Sequence, residues 1–330
     1  MTALEAWQDE TVIVVVSPGQ GSQTPGFLSP WLELDGVAER VAAFSEASGV
    51  DLEEHGTRSD ADTIRDTQIA QPLIVAASLI AWEQLSSRVE TSSFGVAGHS
   101  VGELASLAEA GVFSTDDALR LVGVRGRAMA EAAALEPTGM SAIVGGIEEQ
   151  VLELLAELDL TPANYNGAGQ IVAAGALPAL AALSERAPRG ARVIPLQVAG
   201  AFHTAYMQPA VETLRLAAHE TAVEDPSLTL WTNRDGSIVT SGRQAIDLLV
   251  GQVASPVRWD LCMASFAGHG IEAMIELTPG GTLTGLAKRG LKGVPTVAIK
   301  TPEDLDAAAV LVAETRSAAV DASSETAKEF

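Results

Sequence analysis

SSFGVAGHSVGELASLAEAGVF, residues 92–113, reads as a strand, a sharp turn and a helix in that order. An apolar run at 94–97 enters Gly98-His99-Ser100-Val101-Gly102, and a helical pattern at 103–110 leaves it, which is the setting a G-x-S-x-G nucleophile elbow requires. Gly98 and Gly102 have no side chains to block a tight turn that forces Ser100 into an unfavourable backbone region. Such a turn aims the Val101 N–H at the space beside the Ser100 hydroxyl, where an oxyanion would form. The helix start adds its positive dipole end. The motif is short and rich in small residues, so chance is the competing account. The strand before it and the helix after it favour a nucleophile.

Upstream, the β-branched run at 11–16 marks a strand buried on both faces. It opens into Ser17-Pro18-Gly19-Gln20-Gly21-Ser22-Gln23, a loop at the carboxyl end of that strand, where open α/β sheets place their sites. A plain turn has no need of two glutamines. Helices are predicted over 36–48 and 70–85, the second with Pro72 in its first turn. Downstream, a helix over 116–134, capped by Ser114, carries Val124-Arg125-Gly126-Arg127-Ala128-Met129.

The pattern then changes. Strands at 140–146, 162–166, 170–174 and 191–198 alternate with helices at 148–158 and 177–186 in the order β-α-β-β-α-β of a ferredoxin-like unit. Residues 137–199 are read as a small inserted subdomain, and 1–136 with 200–318 as the larger body. After the insert come a helix at 205–220, a strand at 227–232, helices at 243–252 and 258–267, and a strand at 271–277. A helix at 282–289, a strand at 295–299 and a helix at 302–315 complete a mostly parallel, doubly wound α/β sheet. Residues 319–330 form a polar tail.

Composition narrows the function. Twenty Lys+Arg against 43 Asp+Glu give a net charge of −23 with no basic block, so nucleic acid and anionic membrane are poor partners. The one cysteine, Cys262, excludes an internal disulfide and a multi-thiolate metal site, and sits in an apolar helical stretch as buried filler. No basic region leads into an apolar one at residues 1–10, and the longest apolar stretch, 73–82, is too short to span a bilayer. A cytoplasmic protein with no membrane insertion and no metal is expected.

A serine hydroxyl needs a base. Of five histidines, His55, His219 and His269 lie in polar or glycine-flanked stretches, and His99 should point away from Ser100. His203 follows Gly200-Ala201-Phe202 at a strand–helix boundary and is the preferred base. No acid between Ser100 and His203 is marked by its setting, so a neutral acceptor orienting the imidazole is as reasonable as a triad. Arg125 and Arg127 lie in a helix of apolar and small residues. Either could direct a guanidinium into the cleft as a carboxylate receptor, and spacing does not separate them.

PGQGSQ at 18–23, GHSVGE at 98–103, RGRAM at 125–129, GAFH at 200–203 and QVASPVRW at 252–259 occur in that order. Together they resemble the malonyl-CoA:acyl carrier protein transacylases of fatty-acid synthesis, in an alanine- and acid-rich style similar to the actinobacterial branch. The resemblance runs from about residue 12 to 310 and implies an α/β-hydrolase-like body with an inserted ferredoxin-like subdomain. It implies Ser100 as nucleophile, His203 as base and then acid, and the Gln252 carbonyl as the group orienting the imidazole. Gln20 and Val101 would form the oxyanion hole, and Arg125 rather than Arg127 would pair with the malonyl carboxylate. Asn166 would lie near the site, and Phe202 has the form associated with malonyl over methylmalonyl. Gly281 stands where relatives often carry Lys. The implied partners are malonyl-CoA and holo acyl carrier protein, with no cofactor besides them. Lys288, Arg289 and Lys292 are candidates for a docking patch facing that acidic carrier. Competing readings are a serine esterase or thioesterase, a stand-alone acyltransferase serving a polyketide synthase, and a non-catalytic carrier-binding protein.

Overall fold

The computed structural model describes residues 12–326. Ten strands lie in two sheets among the described residues: β1 (Ile13–Ser17), β2 (Phe94–Gly98), β3 (Thr138–Gly145), β4 (Thr161–Gly167), β5 (Gln170–Ala176), β6 (Ala191–Pro195), β7 (Thr229–Trp231), β8 (Ile238–Val239), β9 (Ala273–Glu276) and β10 (Thr296–Ala298). The larger sheet has the order β10-β9-β1-β2-β7-β8, parallel except for the antiparallel edge strand β8. β1 sits at its centre, with Ile13 opposite Phe94 on one side and Ala273 on the other.

The burial of β1 explains its sequence. Alternate side chains serve opposite faces: Ile13 and Val15 enter the main core, while Val14 and Val16 enter a second cluster with Trp259, Phe266 and Leu286. Helices cover both faces, so no polar alternation survives in the strand. On the main-core side lies helix Thr67–Ser86, packed on helix Thr115–Ala133. It is long and apolar enough to cross a membrane, yet 72% of that window is buried inside the protein. The Asp66 side chain accepts the Gln68 N–H and starts this helix three residues before the predicted boundary. Pro72 is therefore a turn deeper than its sequence position suggested.

The smaller sheet is antiparallel throughout, in the order β4-β5-β3-β6. One face packs Ile143, Ile171 and Ala173 against Val151 and Leu155 of helix Glu148–Glu157 and Leu180 and Leu183 of helix Leu177–Glu185. The other turns Met140, Ala142, Val172 and Ala174 to the main core. Two backbone hydrogen bonds, Tyr165 N–H to the Val257 carbonyl and Val257 N–H to the Ala163 carbonyl, both 2.9 Å, tie this sheet to the body.

Four further elements differ in extent from the sequence reading. β6 stops at Pro195, and β7 shortens to three residues that pair with the unanticipated β8. The helix predicted at 205–220 is a 3-10 turn, Ala205–Met207, followed by helix Gln208–His219. The last helix, Asp304–Thr326, runs on through most of the stretch read as a tail; residues 327–330, like 1–11, lie outside the described residues. The architecture is mixed α/β around a largely parallel sheet. Since Ser17 and Gly98 are register partners, the loop after β1 and the turn after β2 emerge side by side.

Candidate active site

Ser100 stands at φ 54°, in the left-handed region that side chains other than glycine avoid. The glycines around it are sterically required. A Cβ on Gly98 would lie 2.0 Å from the Gly102 carbonyl carbon, and one on Gly102 would lie 2.1 Å from the Ser17 oxygen. Two side chains clamp the strained residue. Asn233 Oδ1 accepts the Ser100 N–H at 2.8 Å, and Gln252 Nε2 donates to the Ser100 carbonyl at 3.0 Å. Val101, buried, caps helix Gly102–Glu109 directly after the serine.

His203 Nε2 lies 2.7 Å from Ser100 Oγ, and its Nδ1 lies 2.9 Å from the Gln252 backbone carbonyl. That carbonyl can only accept, so Nδ1 carries the proton and bare Nε2 receives the serine O–H. Burial, with Arg125 adding to it, pushes the His203 pKa down to about 3, so the resting ring is neutral. His203 is itself at φ 61°. No acid among the described residues hydrogen-bonds to it; the partner of its Nδ1 is a neutral carbonyl.

Arg125 is 1% exposed. Its Nη1 donates to Gln71 Oε1 at 2.6 Å and its Nη2 to Gln252 Oε1 at 2.9 Å, while the buried Nε has no partner among the described residues. Burial lowers its pKa to about 10, opposed by the charge of Glu103, so the guanidinium stays protonated at neutral pH. Arg127 instead donates to the Ser48 carbonyl at 3.0 Å, as a structural tie between helices. Three-dimensional placement separates two arginines that spacing could not. Ser100, His203, Arg125, Gln20, Asn166 and Phe202 line one cleft of about 280 Å³ between the carboxyl ends of β1 and β2 and the inner face of the small sheet.

The remaining predicted positions have varied surroundings. The Gln20 amide donates to the Arg65 carbonyl and the Gln23 amide to the Ile64 carbonyl, so both glutamines stitch their loop to residues 63–65. His99 turns away from Ser100: its Nε2 meets Asn166 Oδ1 at 2.9 Å, and its ring meets Trp259 edge-on. Asn166 passes a hydrogen bond to Gln170 Oε1. Lys288, Arg289 and Lys292 are exposed at the end of helix Thr282–Gly290 and beyond it, outside the cleft that Leu283 and Leu286 of that helix help line. Cys262 is buried, and burial holds its thiol well above the usual range. No group of His, Cys, Asp or Glu that could hold a metal occurs among the described residues.

Sequence reasoning passed over Gln71, Glu103, Glu109, Asn233 and the side chain of Gln252. Glu103 is buried, accepting the Asn233 N–H at 2.8 Å on Oε1 and the Gln252 amide on Oε2. Burial raises its pKa to about 7 against those hydrogen bonds and Arg125. Glu109 accepts the Ser17 hydroxyl at 2.7 Å, and burial raises its pKa to about 8. The one available signal was two acids within the otherwise apolar helical run 103–110. Asn233 and Gln71 carry no such mark.

The chain matches the family described as the acyl transferase domain over residues 14–320. It is 54% identical over 297 residues to the malonyl CoA-acyl carrier protein transacylase of Mycobacterium tuberculosis H37Rv, covering 89% of this chain and 98% of that protein. To the enzyme of the same name from Escherichia coli K12 it is 32% identical over 308 residues, covering 90% and 99%. The crystal structure of MCAT from Mycobacterium tuberculosis superposes with a TM-score of 0.88 over 90% of this chain and 99% of that one, at 54% identity. Malonyl-CoA:acyl carrier protein transacylase from Xanthomonas oryzae gives 0.84 over 90% and 97%, at 33% identity.

Proposed function

The chain belongs to the acyl transferase family, among the malonyl CoA-acyl carrier protein transacylases, and on that premise we propose that it moves malonyl from malonyl-CoA to the phosphopantetheine thiol of acyl carrier protein for fatty-acid synthesis. The observation that carries the reading is a buried guanidinium in the same cleft as a 2.7 Å serine–histidine pair. A hydrolase of neutral esters has no use for that cation. Our reading of the architecture goes with it: an α/β-hydrolase-like body, with residues 137–199 inserted as a ferredoxin-like subdomain. The strand order β4-β5-β3-β6 with two helices on one face supports the second part. A cytoplasmic setting belongs to the same proposal.

The chemistry runs in two symmetrical halves. Ser100 Oγ attacks the thioester carbon as its proton passes to His203 Nε2, and the Gln252 carbonyl steadies the imidazolium through Nδ1. The Val101 N–H, at the start of its helix beside Gln20, donates to the tetrahedral oxyanion; a donor of this kind is worth about 2.7–4 kcal/mol. Collapse breaks the carbon–sulfur bond, His203 returns the proton to the leaving CoA thiolate, and a malonyl-serine ester remains. The carrier thiol then attacks that ester by the reverse path, giving ping-pong kinetics. Arg125 pairs with the malonyl carboxylate throughout, holding the acyl group while one pantetheine arm replaces another, and Phe202 and Asn166 shape the space around it. Intact-mass measurement after mixing with malonyl-CoA tests this. A malonyl adduct on Ser100 that passes to holo carrier protein is the expected result; release as free malonate without transfer would overturn it in favour of a thioesterase.

A further inference from the structure

We propose that Glu103 is a positioning residue for this transfer reaction, holding Ser100, Arg125 and His203 in register through the side chains of Gln252 and Asn233. The proposal rests on the transacylase reading. No acid between Ser100 and His203 is marked by its sequence setting, yet Glu103, inside the elbow motif, reaches the imidazole through one intervening residue, Gln252.

The geometry is a branched clamp. Two donors converge on one buried carboxylate, the Asn233 backbone N–H on Oε1 and the Gln252 amide on Oε2. Each of those residues then grips Ser100: Asn233 Oδ1 takes its N–H, and Gln252 Nε2 gives to its carbonyl. The other end of the Gln252 amide, Oε1, faces the Arg125 guanidinium. Only one orientation of that amide satisfies its neighbours. Reversed, it would set oxygen against the Glu103 carboxylate and N–H against the guanidinium. Glu103 and Arg125 therefore select the same orientation from opposite ends, and Gln252 in turn holds His203 through its backbone carbonyl. A left-handed serine needs such bracing to persist.

Glu103→Gln keeps the size of the side chain but turns one carboxylate oxygen into an NH2 group, which sets donor against donor at either the Asn233 N–H or the Gln252 amide. The test compares wild type, Glu103→Gln, Gln252→Met and the double variant for transfer of malonyl and acetyl from CoA to holo carrier protein. Gln252→Met keeps the carbonyl that orients His203 and removes the amide. Each single variant should lose on the order of 10- to 100-fold in kcat with both acyl groups, as expected for reacting groups displaced by about 1 Å. KM should rise for malonyl-CoA, which depends on Arg125, and not for acetyl-CoA. The double variant should fall no further than the worse single one, because the two positions act as one unit. Wild-type rates in Glu103→Gln, or losses that multiply in the double variant, would overturn the proposal. If Glu103→Gln does not fold, Gln252→Met decides alone: the same split between kcat and KM supports the clamp, and wild-type constants refute it. Malonylation of Ser100 in the wild-type chain is read in the same assay, so a failure of the transacylase reading appears there and a failure of the clamp only in the variants.

Discussion

Replacing Arg125 with Ala should change which acyl group the protein uses more than how well it folds. The guanidinium is 1% exposed, so solvent screens its interactions little. Of five N–H donors on a guanidinium, the structure commits one on Nη1 to Gln71 and one on Nη2 to Gln252, leaving the second N–H of each Nη for a carboxylate in the cleft, while the buried Nε has no partner among the described residues. Removing one partner of a buried charge pair costs about 3–5 kcal/mol. At about 1.4 kcal/mol per decade, kcat/KM for malonyl-CoA should fall at least ~100-fold through this effect. Acetyl-CoA has no carboxylate to lose. It suffers only the loosening of Gln71 and Gln252, which is common to both substrates and cancels in their ratio. The assay is the quotient of kcat/KM for malonyl and acetyl transfer to holo carrier protein, in wild type and variant. A drop of about two decades in that quotient is expected. Equal losses for the two acyl groups would refute the carboxylate-receptor role.

Three other perturbations have signed outcomes. Gly102→Ala puts a Cβ 2.1 Å from the Ser17 oxygen, where the first turn of helix Gly102–Glu109 abuts the end of β1, and should cost about 3 kcal/mol or more of stability, read from denaturant unfolding. Glu109 is held neutral in the folded state up to about pH 8 but ionises near its usual value of 4.5 once unfolded, so wild-type stability should decline as pH rises between those values. Glu109→Gln should flatten that decline, seen in urea midpoints at pH 5 and pH 8. Reversing charge at Lys288, Arg289 and Lys292 together should raise KM for the carrier protein and leave formation of the malonyl-serine adduct from malonyl-CoA unchanged; an unaltered carrier KM would reject the docking patch.

Local pattern made the body of the fold legible. The run of Val14, Val15 and Val16 has no polar alternation because both faces of β1 are covered, and burial on two sides writes itself into adjacent residues. The four strands and two helices of the small sheet were also present in order, since each needs only its own periodicity. What failed were ends and edges. β8 is two residues long and exists only because β7 lies beside it, and the Asp66 cap starts its helix three residues before the predicted boundary at 70.

For the site, sequence alone determined the elbow, because Gly98, Ser100 and Gly102 lie within five residues and the close approach of Gly98 to Gly102 is met inside the turn itself. Through the order of its motifs it also pointed to His203, Gln252 and Arg125. Tertiary structure decided the rest. It faces Arg125 to the cleft and ties Arg127 to the Ser48 carbonyl, a physical difference between two arginines that only the motif resemblance, and not their spacing, distinguishes in the sequence. It also brought Glu103 and Asn233, 130 positions apart, behind the same serine. A buried carboxylate takes its meaning from the donors that converge on it. Those donors arrive from distant segments that only the packed chain brings within hydrogen-bonding reach, so no spacing in the sequence announces them.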